Sequence, residues 1–415
     1  MDQTMTDRTI LIVGTYDTKD DELNYIAGVI RGQGGGVVTM DVSVLGDPTE
    51  PTDFSKHDVA EAGGSSIQAA IDSGDENTAM QIMAQGASTL VSRLCADGRF
   101  DGLLVLGGTM GTDLALDVCN AVPLGVPKYI VSTVSFSPLI PAERLPADVQ
   151  MILWAGGLYG LNAVCKASLS QAAGAVLGAA RAVEKPDTKR LLIGMTSFGK
   201  SFLSYMVALK PALESRGFDV AVFHATGMGG RAFESLAAQG AFACVMDFAT
   251  QEVGNFINGS AIHAGESRLT AAGRAGIPQI VSSGCYDLVD LAGWQPMPEA
   301  LQGLPSHAHN RLLTSVVLDA PRRRDVARAL AERVAGAKGE TVFVLPTQGC
   351  HALDRPGADL CDPDGLAAFV DELTKVCPDN VTLKALDAHI NDDAFVDTVL
   401  ATFDDWLARG IVPRP

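Results

Sequence analysis

Short apolar runs alternate along this chain with longer stretches in which apolar residues return every third or fourth position. The runs TILIVG (9–14), VVTMDV (37–42), LLVL (103–106), KYIVSTVS (128–135), VQMILWAG (149–156), RLLIGM (190–195), DVAVFH (219–224), ACVMD (243–247), IPQIVSSG (277–284), LLTSVVL (312–318), TVFVLP (341–346) and VTLKAL (381–386) predict strands. Helical spacing predicts helices from about Asp20 to Arg31, Glu76 to Ala96, Leu158 to Val183 and Arg323 to Ala337, and one of about 20 residues ending at Gly217. Strand and helix in alternation imply parallel sheets covered by helices on both faces. Residues 287–310 break the rhythm and read as a loop carrying Asp287, Trp294, His307 and His309.

The plan occurs twice. After Glu184-Lys185-Pro186-Asp187, which reads as a linker, RLLIGM resembles TILIVG, and GIPQIVSSG echoes GVPKYIVST so closely that an internal duplication is the economical account. The expected fold is α/β: two Rossmann-like, doubly wound domains with mainly parallel sheets, residues 1–184 and 188–415.

The first half is organised around LLVLGGTMGTDLALDVCNAV, Leu103 to Val122: strand, glycine-rich turn, helix. Gly107, Gly108 and Gly111 let the backbone turn tightly and approach a ligand. Thr109, Thr112 and the first free amides of the helix suit a phosphate or carboxylate, although a tight turn without any ligand needs the same residues. Thr15, Asp17, Thr18 and Lys19 end the first strand and either line the same crevice or cap the next helix. Asp41 ends the second strand, where an acid often meets a ribose hydroxyl, and Ser132 and Thr133 end the strand after the central one.

In the second half, Gly194 to Ser201 satisfies G-x-x-x-x-G-K-[ST] between a strand and a helix. As a phosphate loop, Gly199 would turn the chain, Lys200 would meet the β- and γ-phosphates, and Ser201 and Asp247 would anchor Mg²⁺; alternatively Lys200 only starts an exposed helix. His224-Ala225-Thr226-Gly227-Met228-Gly229-Gly230-Arg231 forms another glycine-rich turn, in which Arg231 favours an anion and His224 suits a general acid or base. Glu252 and His309 join His224 as candidate catalytic residues, Glu252 doubling as part of a helix cap. His351 with Asp354, and His389 with Asp392, lack zinc-type spacing, so no metal site is expected.

Composition narrows the functions. A net charge of -18 over 415 residues argues against nucleic acid and anionic membrane as partners. No uncharged apolar run approaches the roughly 18 residues needed to span a bilayer. The polar N-terminus lacks the apolar core of a signal peptide, so a cytoplasmic location is expected. The 8 cysteines form no C-x-x-C pair, which argues against disulfides and a structural zinc site.

In order along the chain, GTYDTKDDE, DVSVLG, LGGTMGT, GVPKYIVST, GLYGLN, VFHATGMGGRAFESL, GIPQIVSSG, YDLVDLAG, HNRLL, ALDRPGADLCDPDG and HINDDAF resemble the ATP-binding domain of the tomato mosaic virus resistance protein family and its bacterial relatives. The resemblance implies two Rossmann-like domains, ATP binding and a homodimer or higher homo-oligomer. It places the family's first turn on Thr15, Asp17, Thr18 and Lys19, its glycine-rich turn on Gly107, Gly108, Gly111 and Thr112, and its second-domain turn on His224, Thr226, Gly227, Gly229, Gly230 and Arg231. Thr109-Met110 stand where relatives carry serine-glycine, Lys200 where they carry an apolar residue, and Cys361 where they carry tyrosine; the loop after Ser135 also departs from the pattern.

Three functions fit these residues: an enzyme using ATP, with Mg²⁺, on a small acidic metabolite in a cleft between domains near His224, Arg231, Glu252 and His309; a nucleotide-responsive regulatory protein without turnover; and a histidine- or metal-dependent lyase or hydrolase.

Overall fold

The computed structural model describes residues 8–157, 159–184 and 190–415. The chain divides into two compact units between Pro186 and Asp187. Residues 185–187 of the expected linker, and Leu158 at the expected start of a helix, lie outside the described residues.

The first unit runs β1 (Thr9–Gly14), α1 (Tyr16–Gly32), β2 (Gly36–Asp41), α2 (Lys56–Ala62), α3 (Ile67–Asp72), α4 (Glu76–Ala96), β3 (Gly102–Gly107), α5 (Thr109–Asn120), β4 (Lys128–Ser132), β5 (Val149–Leu153) and α6 (Ala163–Ala182). Its strands form one parallel sheet in the order β2-β1-β3-β4-β5. Successive residues of β1 and β3 point to opposite faces. Leu11, Val13, Leu103 and Val105 pack with α4 and α5, whereas Ile10, Ile12, Leu104 and Leu106 pack with α1 and α6. Burial on both faces is why these strands read as unbroken apolar runs. α1 starts at Tyr16, a turn earlier than expected, and kinks at Lys19. α6 starts late because Asn162 accepts from the Val164 and Cys165 amides and fixes its first turn there.

The second unit runs β6 (Leu192–Ser197), α7 (Met206–Glu214), β7 (Asp219–His224), α8 (Met228–Ala238), β8 (Cys244–Ala249), α9 (Gln251–Ile257), α10 (Ala271–Ala275), β9 (Gln279–Gly284), β10 (Leu288–Ala292), β11 (Ser306–Ala308), β12 (Leu313–Val317), α11 (Ala320–Ala335), β13 (Thr341–Pro346), α12 (Pro363–Val376), β14 (Thr382–Leu386) and α13 (Asp393–Arg409). Its main sheet is parallel, in the order β14-β13-β9-β8-β6-β7. Counted along the chain, both sheets follow second, first, third, fourth, fifth strand, and the second adds a sixth. The echoing segments GVPKYIVST and GIPQIVSSG contain the fourth strand of each.

Two expectations fail here. The helix of about 20 residues is the 9-residue α7, because Gly199 (φ +80) turns the chain and its carbonyl accepts from the Phe202 and Leu203 amides. The expected loop at 287–310 contains two strands of a three-stranded antiparallel sheet, β10-β12-β11. Among the described residues, no helix is long and apolar enough to cross a membrane.

Candidate functional site

In an open parallel sheet, ligands bind beyond the strand carboxyl ends, where successive crossovers diverge. In the first unit that point lies between β1 and β3. The amides that open α1 are already occupied: the Tyr16 N–H donates to buried Asp41 (3.2 Å) and the Asp17 N–H to Ser43 Oγ (3.0 Å). Asp41 also accepts from the Ser43 amide at 2.9 Å, so the acid expected at a ribose holds the start of a helix. Thr15 and Thr18 share a hydroxyl contact of 3.2 Å, and the Lys19 ammonium lies 5.5 Å over the Trp154 ring.

At α5 the cap position is Gly108, which has no side chain to offer the first amides. A Cβ on Gly107 would fall 2.5 Å from the Gly111 Cα, so close packing of strand against helix accounts for that pair of glycines. Thr112 and Ser132 are buried and bonded hydroxyl to hydroxyl at 2.5 Å; they tie α5 to β4. Thr133 is half-buried beside Gly108, and Thr109 is exposed. Next to this turn lies a groove of about 240 Å³ lined by Thr109, Met110, Leu116, Val134, Leu139 and Ile140.

The phosphate loop expected at Gly194–Ser201 is not formed. Lys200 and Ser201 lie in an exposed turn, and α7 begins only at Met206. The proposed second Mg²⁺ anchor, Asp247, is buried, accepts from Thr196 Oγ1 at 2.7 Å and pairs with Arg268. Phe198 and Phe202, 5% and 4% exposed, close over the end of β6 instead.

The glycines of the second turn also serve packing. Gly227 (φ +88) donates its N–H to Glu252 Oε1 at 2.5 Å. A Cβ on Gly229 would fall 1.8 Å from the His224 carbonyl, and one on Gly230 would fall 1.9 Å from Glu252 Oε2. Glu252, expected among the catalytic residues, is 0% exposed and belongs to a buried ion network beneath this turn. Arg268 is its hub, with Nε 2.6 Å from Glu252, Nη2 2.7 Å from Asp247 and Nη1 3.2 Å from Glu234. Burial pushes Glu252 up to about 7 against the opposing pull of Arg268, and burial likewise raises Glu234. Arg231 Nη1 approaches the Ala264 carbonyl at 3.4 Å.

His224 does face outward, at the end of β7, with its ring stacked 5.8 Å from Phe198. Phe202 in turn stands 6.2 Å from His307, 5.9 Å from His309 and 6.0 Å from His351, measured between ring centres. The small antiparallel sheet brings two of these histidines here. Its register aligns Asp290 with Ser315 and Ser315 with His307, a polar row across three strands. Leu288, Leu313 and Val317, two positions away along their strands and hence on the same face, join the apolar core around Phe202. Ser315 Oγ donates to Asp290 Oδ1 at 2.6 Å, and Asn255 Nδ2 to Oδ2 at 3.2 Å. Burial raises Asp290, with those hydrogen bonds and the His224 and His309 charges opposing. Burial lowers His224, with the Asp290 charge opposing and His309 adding to the lowering. The sequence reading missed Asp290, Ser315 and Asn255. The available signal was a polar residue at a core-facing position of LVDLA and of LTSVV.

The remaining candidates, His351, Asp354 and His389, meet beyond β13 and β14 together with Asp287 and Cys350.

Fold and site together define a two-unit α/β protein with Rossmann-like parallel sheets, its polar groups gathered beyond the strand ends. Residues 8–185 match the family model described as "Uncharacterised protein family (UPF0261) N-terminal domain", and residues 190–407 match its C-terminal counterpart. The chain belongs to the UPF0261 family. A UPF0261 protein of Brucella suis is 53% identical, covering 98% of this chain and 97% of its own. One of Clostridium tetani is 33% identical over 94% and 96%. The ToMV resistance protein Tm-1(GCR237) of Solanum lycopersicum is 29% identical over 95% of this chain but only 55% of its own length.

Proposed function

We propose that this chain is an enzyme that consumes ATP in acting on a small acidic metabolite, with the nucleotide on the first unit and the acid–base groups on the second. The observation that carries the catalytic reading is the polar row Asp290–Ser315–His307 on a face that otherwise belongs to the apolar core. Polar groups there cost stability, and the row lies in the neighbourhood of His224, whose basicity burial lowers, and of His309. For the nucleotide, α5 offers first-turn amides at a glycine cap, whereas those of α1 are engaged by Asp41 and Ser43. A triphosphate with its Mg²⁺ suits the amides, and the groove lined by Val134, Leu139 and Ile140 suits an apolar ring. The resemblance of the LGGTMGT segment to the glycine-rich turn of the ATP-binding family supports the same choice.

The test is calorimetry with Mg–ATP, followed by measurement of ADP, AMP and phosphate release with a pool of small carboxylic acids. His224→Asn is expected to leave ATP affinity unchanged and to lower turnover roughly 10²–10⁴-fold, the range for loss of a general acid or base. An absence of heat at millimolar ATP refutes the nucleotide reading. Binding without release of any product under all acids refutes the enzyme reading and leaves a nucleotide-responsive regulatory protein.

A further inference from the structure

Beyond the ends of β9, β13 and β14 lies a cluster that the acid–base reading does not use. Asp287 follows β9, Cys350, His351 and Asp354 follow β13, and His389 follows β14. Asp287, Cys350, His351 and His389 are at most 1% exposed, and the Asp354 side chain is 8% exposed. One potential ligand atom from each of Asp287, Cys350, His351 and Asp354 lies within 4.8 Å of all the others.

The two imidazoles are set alike. The Leu353 amide donates to His351 Nδ1 at 3.1 Å, and the Asn391 amide to His389 Nδ1 at 3.0 Å. Each Nδ1 is therefore an acceptor, and the proton of each neutral ring resides on Nε2. His351 Nε2–H faces Asp287 Oδ2 at 3.3 Å, and His389 Nε2–H faces Asp354 Oδ1 at 2.8 Å. Two buried carboxylates are thus each oriented by an imidazole, as ligating carboxylates are in metal sites. Between them lies the Cys350 thiol, with Sγ 3.1 Å from Asp287 Oδ1 and its amide donating to Asp354 Oδ2 at 2.5 Å. Arg323 stands 3.7 Å from Asp287 and 2.9 Å from Asp362. A cavity of about 80 Å³ lined by Asp354, Tyr286 and Arg323 reaches the cluster, and the buried Tyr286 hydroxyl has no hydrogen-bond partner.

We propose that this cluster binds a divalent transition-metal ion, zinc by its donor chemistry, through Cys350 Sγ, Asp287 Oδ1 and an Asp354 carboxylate oxygen, with His351 and His389 holding the two carboxylates. One thiolate and two carboxylates match a borderline-soft ion, and three protein donors leave a coordination position open. Binding forms an ion–sulfur bond and releases the Cys350 proton to bulk water. The spacing C-H-x-x-D hides the site because its other carboxylate is supplied by a different loop.

The probe is Co²⁺, added to the full chain after chelator treatment. The expected result is a thiolate-to-cobalt charge-transfer band that saturates at about one equivalent, is displaced by Zn²⁺, survives Cys361→Ser and disappears in Cys350→Ser. His389→Asn should keep the band and weaken affinity about 10–100-fold. X-ray absorption of the cobalt-loaded unaltered protein needs no variant; it should show one sulfur at about 2.3 Å. No sulfur scatterer in the unaltered protein, or a band retained by folded Cys350→Ser, overturns the proposal.

Discussion

Glu252→Gln isolates the electrostatics of the buried network. In the folded chain Glu252 is 0% exposed and pushed from 4.5 up to about 7, burial outweighing Arg268. A folded value above the unfolded one means the carboxyl stabilises the fold fully below about pH 4.5 and loses that contribution as pH rises through about 7. At about 1.4 kcal/mol per unit, the unfolding free energy should fall by roughly 2–3 kcal/mol between about pH 5 and pH 8 on account of this group. Glutamine keeps an oxygen for the Gly227 amide and leaves Arg268 paired with Asp247 and Glu234. Other titrations, including that of Glu234, are shared, so the difference between the two proteins reports Glu252. Urea unfolding can be followed by Trp294 and Trp406 in a Trp154→Phe background, since those two belong to the second unit. Relative to the variant, the unaltered protein should lose stability as pH rises. Parallel profiles, or a difference of opposite sign, refute the argument.

Four further outcomes are expected. Lys200→Ala should change ATP affinity less than threefold because no phosphate loop forms around it; a tenfold loss, about 1.4 kcal/mol, would restore that loop. Ser315→Ala should cost about 1–3 kcal/mol in thermal or urea unfolding by leaving buried Asp290 short of a donor, and a cost near zero would deny the polar row. Gly230→Ala, whose Cβ would fall 1.9 Å from Glu252 Oε2, should destabilise by about 1–3 kcal/mol, and less in a Glu252→Gln background if that contact is the cause. β5 is the edge of the first sheet, and Leu153 on it is 49% exposed. If this edge pairs with a second copy, sedimentation should show a dimer that Leu153→Lys converts to monomer; an unchanged species would rule out that edge.

The parallel strands were legible because burial on both faces leaves near-continuous apolar runs, as in TILIVG and TVFVLP. Of the antiparallel sheet only β12 was, as LLTSVVL. Asp290 occupies a core-facing position and erases the alternation that would have marked β10. Gly199-Lys200-Ser201 matched a motif in letters alone, because Gly199 bends the chain away from the helix that a phosphate loop requires. Asp41 and Glu252 were recognisable as polar residues at strand and helix ends, but their partners, the Tyr16 amide and Arg268, are set by tertiary packing. The Asp287–Cys350 neighbourhood was hidden more deeply. It follows from β13 lying beside β9, a consequence of strand order that residue spacing does not encode.

The shared strand order has a historical consequence. Asp41 and His224 occupy matching places, each opposite the last residue of its unit's first strand. If one ancestral lobe gave rise to both, its second-strand tip has diverged toward opposite ends. One descendant turned that tip inward as a tether for a helix, and the other left it as an imidazole facing outward. In that account the tip of the second unit's second strand is the one freed from anchoring duty.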